Sequence, residues 1–194
     1  MEASPLYEDS RPLNSMIEKR EERGLEMKPS VSALVFVLAL SAAYSGAAGE
    51  TVNCKVRATF SSQGSIAEVV LRELRQARSK LVLAVYGFSN RLLAEELAKL
   101  AGRGVTVRVK IDDEKSRERR EGRVIEVLKA AGVSVQAVAP EGRNHNKFAV
   151  IDDSRVITGS YNWTLKAEKN WENLLILDCP VLARMYVKEW ETIQ

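Results

Sequence analysis

The chain has 194 residues, 45% of them hydrophobic and 28% charged, proportions that suit one folded domain with a tail and exclude a wholly disordered chain. Its formal charge of +3 is unevenly spread: residues 1–48 hold 5 Lys+Arg and 7 Asp+Glu, leaving 24 against 19 in the remainder. That excess leans mildly toward polyanions, nucleic acid or anionic lipid, and decides little alone. Two cysteines, Cys54 and Cys179, exclude a four-cysteine zinc site and leave either one disulfide or two buried thiols. The one histidine, His145, excludes from any single subunit a relay or metal centre that needs two.

Residues 1–30 are polar, with the charged run Glu18–Arg23 and no sustained apolar face, and read as a disordered tail. Val31 to Ala43 is almost wholly apolar and runs into the small residues Ser45 to Ala48. This length fits the apolar stretch of a secretory signal, about 7–15 residues, better than a spanning helix of about 20. Met27-Lys28 offers a second start with a short basic lead. Residues 31–49 are therefore read as a signal peptide, with a retained membrane anchor as the alternative, and the protein as exported, periplasmic or secreted. Residues 50–194 form the domain. Export would place Cys54 and Cys179 in an oxidising compartment, and with one beside the first strand and the other beside a late one, a disulfide between them is expected.

Within the domain, Val52 to Phe60 alternates as a strand does. Ser65-Ile-Ala-Glu68 has the form of a capping box, and Ile66, Val69, Val70, Leu74 and Ala77 follow at helical spacing. Lys80 to Tyr86 is a buried strand, Leu92 to Leu100 a helix ended by Gly102 and Gly104, and Val105 to Ile111 a strand. Asp112 to Arg123 reads as a charged surface loop, Val124 to Ala131 as a helix. Val133 to Val138, Lys147 to Ile151 and Leu174 to Leu177 are further strands, and Val181 to Ile193 closes the chain as a helix. Such alternation predicts an α/β sandwich, a mixed sheet flanked by helices.

The chemistry-bearing residues cluster late in the chain. In a strand His145 and Lys147 would share a face, because side chains alternate with period two. A lysine there neutralises a phosphoryl oxygen while a neutral imidazole attacks phosphorus. Ser160 and Asn162 add a hydroxyl and an amide for the remaining oxygens, and Glu172 could accept the second imidazole N–H and fix the tautomer. Each residue singly has an ordinary structural reading; their joint spacing points to phosphate chemistry. The pairs Asp112-Asp113 and Asp152-Asp153 raise a two-metal alternative, but adjacent strand residues face opposite ways and such pairs usually serve turns or caps.

The string of His145, Lys147, Asp152, Gly159, Ser160 and Asn162, written HxKxxxxD…GSxN, resembles the signature of the phospholipase D superfamily at every defining position. Phe60–Ser65, Tyr86-Gly-Phe88-Ser89, Arg103–Val109 and Trp171-Glu-Asn look like its single-motif bacterial endonucleases. Lys147–Asp152 and Ile157–Thr164 are also similar to its mitochondrial cardiolipin hydrolase branch. The resemblance implies a metal- and cofactor-free displacement through a phosphohistidine on His145, with Asp152 mainly structural, orienting neighbouring groups rather than transferring protons, and Gly159 structural. It also implies a homodimer in which two copies of His145 share one site, because a second histidine must protonate the leaving oxygen. Nucleic acid is the expected substrate, with phospholipid headgroups as the alternative and an inactive binding module as a third reading. Arg72 and Arg75 lend the first a slight support, and membrane association through residues 31–48 would favour the second.

Overall fold

Lys80 to Val85 is apolar on both faces beyond its first residue, and such a run is stable only where both sides of a sheet are covered. It forms the central region of a seven-stranded sheet in the computed structural model, which describes residues 51–194. The expected tail at 1–30, the whole of the expected signal or anchor at 31–49, and Glu50 at the expected domain start lie outside the described residues. The strands are β1 (Lys55–Phe60), β2 (Lys80–Val85), β3 (Thr106–Asp112), β4 (Ser134–Val138), β5 (Lys147–Ile151), β6 (Arg155–Gly159) and β7 (Asn173–Asp178). The helices are α1 (Ile66–Leu74), α2 (Arg91–Gly102), α3 (Asp113–Ser116), α4 (Arg119–Ala130) and α5 (Pro180–Thr192).

Spatial order is β1-β7-β6-β5-β2-β3-β4. β2, β3 and β4 run parallel, whereas β5, β6, β7 and β1 alternate antiparallel. The sheet is therefore mixed, as the alternation of strands and helices predicts. Side-chain alternation along β2 divides the core. Leu81, Leu83 and Val85 pack with Val70 and Leu74 of α1, Leu97 and Leu100 of α2, and Leu128 of α4. Val82 and Ala84 pack on the other face with Ala183 and Trp190 of α5.

Three local expectations are corrected. The first strand begins at Lys55, not Val52. The stretch expected as a loop, Asp112 to Arg123, instead holds α3 and the first turns of α4. Its Arg, Lys and Glu residues are good helix formers, Asp112 caps α3 by accepting from the Lys115 amide at 3.2 Å, and Glu121, Val124 and Leu128 face inward at helical spacing. Strand β6 was not anticipated. It exists because Asp152 and Asp153 both take left-handed backbone, φ 49° and 51°, which reverses the chain immediately after β5.

The capping box is only half built from Ser65-x-x-Glu68. Ser65 Oγ accepts from the Glu68 amide at 3.3 Å, but the reciprocal carboxylate is Glu168, which accepts from Ser65 Oγ at 2.6 Å and the Ala67 amide at 3.2 Å. Both ends of α5 are tied down. At its start Cys54 and Cys179 are disulfide-bonded, with Cα atoms 5.1 Å apart, one step beyond the opposed pair Lys55 and Asp178 of β1 and β7. At its end the buried Lys110 Nζ donates to the Trp190 and Ile193 carbonyls at 2.8 and 2.6 Å, groups that a helix terminus otherwise leaves without partners. Burial pushes the Lys110 pKa below the ordinary lysine range.

Candidate active site

Parallel strands β2 and β3 end together, and ligands of open α/β sheets bind outside such carboxyl ends. Antiparallel β5 starts at that same end and β6 finishes there, since Lys147 opposes Val85 and Phe148 opposes Thr158. The sheet thus carries His145-x-Lys147 and Ser160-x-Asn162 to one edge.

The segment before β5 is held from below. Buried Asn144 donates its amide to Asp112 at 3.1 Å and its side-chain nitrogen to the Val85 and Lys110 carbonyls, each at 3.5 Å. Its Oδ1 accepts from Asn146 Nδ2 at 3.0 Å, and the Tyr86 amide donates to the Asn146 carbonyl at 2.8 Å. With its neighbours fixed on both sides, His145 projects outward and exposed.

Tyr86 organises the edge and was not singled out as a site residue from sequence. Its ring lies 4.7 Å from the His145 ring, tilted by 51°, and Lys147 Nζ and Lys115 Nζ stand 5.2 and 5.3 Å from its centroid. A tyrosine just past the end of a buried strand, followed by glycine, is the one signal that could have found it. Lys147 Nζ also donates to the His145 carbonyl at 2.7 Å. Burial lowers the Lys147 pKa below the usual lysine range, opposed by the negative charge of Glu172.

The GSxN segment is placed by backbone contacts. A Cβ on Gly159 would lie 2.3 Å from the Asn173 carbonyl oxygen, so only glycine lets β6 approach β7 here. The Ser160 amide then donates to that same carbonyl at 3.2 Å. Trp163 donates to the Gly87 carbonyl at 3.1 Å and accepts from the Ser89 and Asn90 amides at 3.0 and 2.9 Å. This zips the segment beside Tyr86. Asn162 makes no side-chain hydrogen bond among the described residues, and its Oδ1 is buried without a partner.

One expected role is not what the structure builds, and a second expected site residue keeps its structural role away from the edge. Glu172 does not orient the His145 imidazole within this chain: its carboxylate accepts from Ser160 Oγ and from Asn170 Nδ2 at 3.0 Å. The register of β7 against β6 brings it to the serine instead. Asp152 is not at the catalytic edge, because β5 carries it to the opposite end of the sheet. There it accepts from the Arg78, Ser79 and Lys80 amides and from Ser79 Oγ, at 2.9 to 3.0 Å. Burial opposes its ionisation, but these hydrogen bonds prevail and hold its pKa below the ordinary aspartate range. Its place is structural, joining the β5–β6 turn to the entry of β2. Arg75 is likewise committed elsewhere, to Glu96 at 3.2 Å, and lines a cavity with Asp152. Among the described residues no three His, Cys, Asp or Glu side chains converge as metal ligands would.

Comparison with known proteins agrees with this geometry. The family model described as "Cardiolipin synthase, PLD-like domain" matches residues 70–193. The mitochondrial cardiolipin hydrolase of Xenopus laevis is 41% identical over 125 residues, 64% of this chain and 59% of that protein. A phospholipase D of Rickettsia conorii is 30% identical over 142 residues, 73% of this chain and 70% of that one. The chain spans about three fifths of the length of the cardiolipin hydrolases it matches first. The crystal structure of Nuc, a phospholipase D family member from Salmonella typhimurium, superposes with TM-score 0.69 at 26% identity, over 72% of this chain and 93% of that one. By its matched residues and by the edge on which His145, Lys147, Ser160 and Asn162 meet, the chain belongs to the family of phospholipase D-like domains.

Proposed function

We propose that this protein is a metal-independent phosphodiesterase that works through a phosphohistidine on His145, as a homodimer, with nucleic acid as substrate. The observation that carries the reading is the convergence of His145, Lys147, Ser160 and Asn162 at the carboxyl ends of β2 and β3. In the first step a lone pair of neutral His145 attacks phosphorus and the P–N bond forms. The bond from phosphorus to the leaving oxygen breaks, and that oxygen takes a proton from the partner subunit's His145. In the second step water attacks phosphorus, gives its proton to the partner's imidazole and releases His145. Both imidazoles return to their starting protonation, and the products are an alcohol and a phosphate monoester. Lys147 offsets charge on the phosphoryl oxygens in both steps, and the uncommitted amide of Asn162 is available to them.

Nucleic acid is favoured by the cationic excess of residues 49–194 and by Arg120, which lines a cavity with Tyr86 and Asn162 and has no ion-pair partner among the described residues. The second reading, hydrolysis of phospholipid headgroups, is favoured by the names of the relatives, cardiolipin hydrolase and phospholipase D. The test sets the full chain against plasmid DNA, RNA and cardiolipin-containing vesicles, each with and without EDTA. Nucleic acid hydrolysed in EDTA by wild type, and slowed at least about 10³-fold in His145→Ala, is the expected result. Activity lost in EDTA and restored by a divalent cation would overturn the metal-free route, and turnover of vesicles alone would establish the lipid reading.

A further inference from the structure

The pair Asp112-Asp113, which by sequence raised a metal alternative, is divided in the structure. Asp113 is turned to Arg117 at 2.5 Å. Asp112 is 3% exposed at the end of β3, and each of its oxygens accepts a backbone N–H. Oδ2 takes the Asn144 amide at 3.1 Å and Oδ1 the Lys115 amide at 3.2 Å. One side chain thereby satisfies two backbone donors, which only a carboxylate, with two accepting oxygens, can do in this way.

A helix cap needs one of those oxygens; the other goes to the catalytic segment. Helix α3, Asp113–Ser116, is too short to persist on its own propensity, so it depends on this cap. From it Lys115 Nζ stands 5.3 Å from the Tyr86 centroid, and the Tyr86 ring lies 4.7 Å from that of His145. Arg143 adds a second tie, with Nη1 3.8 Å from Asp112 Oδ1 and an ion pair to Glu114 of α3. Asp112, Asn144, His145, Tyr86 and Lys115 thus form a closed circuit of contacts. The hold on Asn144 is uneven around it. Its side-chain bonds to the Val85 and Lys110 carbonyls are 3.5 Å long, beyond the usual N–H···O range. The amide bond to Asp112 is therefore the firmest of the three.

We infer that Asp112 is the positioning residue of the nucleophile. It touches neither the phosphate site nor the reacting atoms. Through the Asn144 amide it fixes where His145 leaves the sheet, and through α3 it fixes the wall of Tyr86 and Lys115 against which the imidazole lies. The groups assigned to the phosphate are held by other contacts, Ser160 for instance by Asn173, so Asp112 bears on kcat and not on KM. A nucleophile misplaced by about 1 Å loses about 10²-fold in rate. The kinetic consequence rests on the phosphodiesterase reading; the geometric one does not.

The test separates the cap from the clamp. Asparagine and serine cap helices as well as aspartate does, but each has one accepting oxygen to offer, so Asp112→Asn and Asp112→Ser keep the bond to Lys115 and give up the one to Asn144. Hydrolysis of bis(p-nitrophenyl) phosphate by the full chain is measured together with the NMR ring resonance of His145, the one histidine of the chain. That resonance carries the ring current of Tyr86, and Tyr86→Leu marks its position without it. Glu96→Gln is the control for a merely structural loss, since Glu96 is 4% exposed and pairs with Arg75 away from the catalytic edge. The expected result is kcat lower by about 10²-fold with KM within about twofold, and the His145 resonance moved toward its Tyr86→Leu position. In Glu96→Gln both stay as in the parent. Unchanged kcat and resonance would overturn the inference and leave Asp112 a helix cap. So would a loss matched by Glu96→Gln, or a rise in KM with kcat intact. Failure of both Asp112 variants to fold would overturn it too, because Asp112 would then serve the fold alone. A parent that does not hydrolyse the ester would strike the phosphodiesterase reading instead, while the resonance would still judge Asp112.

Discussion

Lys147 shows how one residue's surroundings set its chemistry. Its ammonium group sits by the Tyr86 ring and His145 carbonyl, and burial lowers its pKa while Glu172 pulls the other way. The charged form is the one that neutralises a phosphoryl oxygen, so activity is present at lower pH and falls as pH rises through the depressed value. The alkaline limb of kcat/KM is therefore expected below the ordinary lysine pKa of about 10.4. Lys147→Arg, whose charge persists beyond about pH 12, should move that limb upward while lowering the plateau through altered geometry. Lys147→Met should lose about 10²–10³-fold at every pH. A limb unmoved by Lys147→Arg would assign it to another group.

Among the elements, β6 and its join to β7 carry the most consequence for the site. The motif's glycine is not a loop residue but the point at which two strands touch, Gly159 opposing Leu174. Gly159→Ala places a methyl 2.3 Å from a backbone oxygen, and such overpacking should cost about 1–3 kcal/mol. It should also displace Ser160, whose amide and hydroxyl both bond Asn173. Thermal unfolding and turnover should fall together. Gly122→Ala in α4 is the contrast, since its Cβ would meet nothing within 4 Å, and helix propensity predicts a gain of about 0.5–1 kcal/mol there. Equal effects of the two would mean that the contact at Gly159 is not what requires glycine.

At the scale of the whole molecule, one histidine per chain governs the outcome. A single imidazole cannot both attack phosphorus and protonate the leaving oxygen in the same step, so the proposed mechanism requires an active unit that joins two copies of His145. Wild type mixed with excess His145→Ala subunits should form heterodimers that lack either nucleophile or acid, a loss of about 10²–10⁴-fold for the acid alone. Activity should then follow the square of the wild-type fraction. A linear dependence, or a fully active monomer at high dilution, would show that another group takes the second role.

Much of this was open to a reader of the sequence because short-range rules govern it. Period-two alternation marks β1, a short apolar run marks β2, helical spacing marks α1, and HxKxxxxD…GSxN names the candidate side chains and how far apart they lie along the chain. What spacing could not state was which oxygen meets which donor. Glu172 faces Ser160, Asp152 anchors the far end of β5, and Glu168 completes a cap begun 103 residues earlier, because strand register and crossings between elements place them there. The helices within Asp112 to Arg123 were hidden for a related reason. Their charges look like those of a loop until Glu121, Val124 and Leu128 have a sheet to bury against. The candidate residues of the site are written in the sequence, whereas the partners that hold them, with Tyr86 at their centre, are chosen by tertiary packing, since a hydrogen bond or a ring contact depends on distances in space that no local pattern encodes.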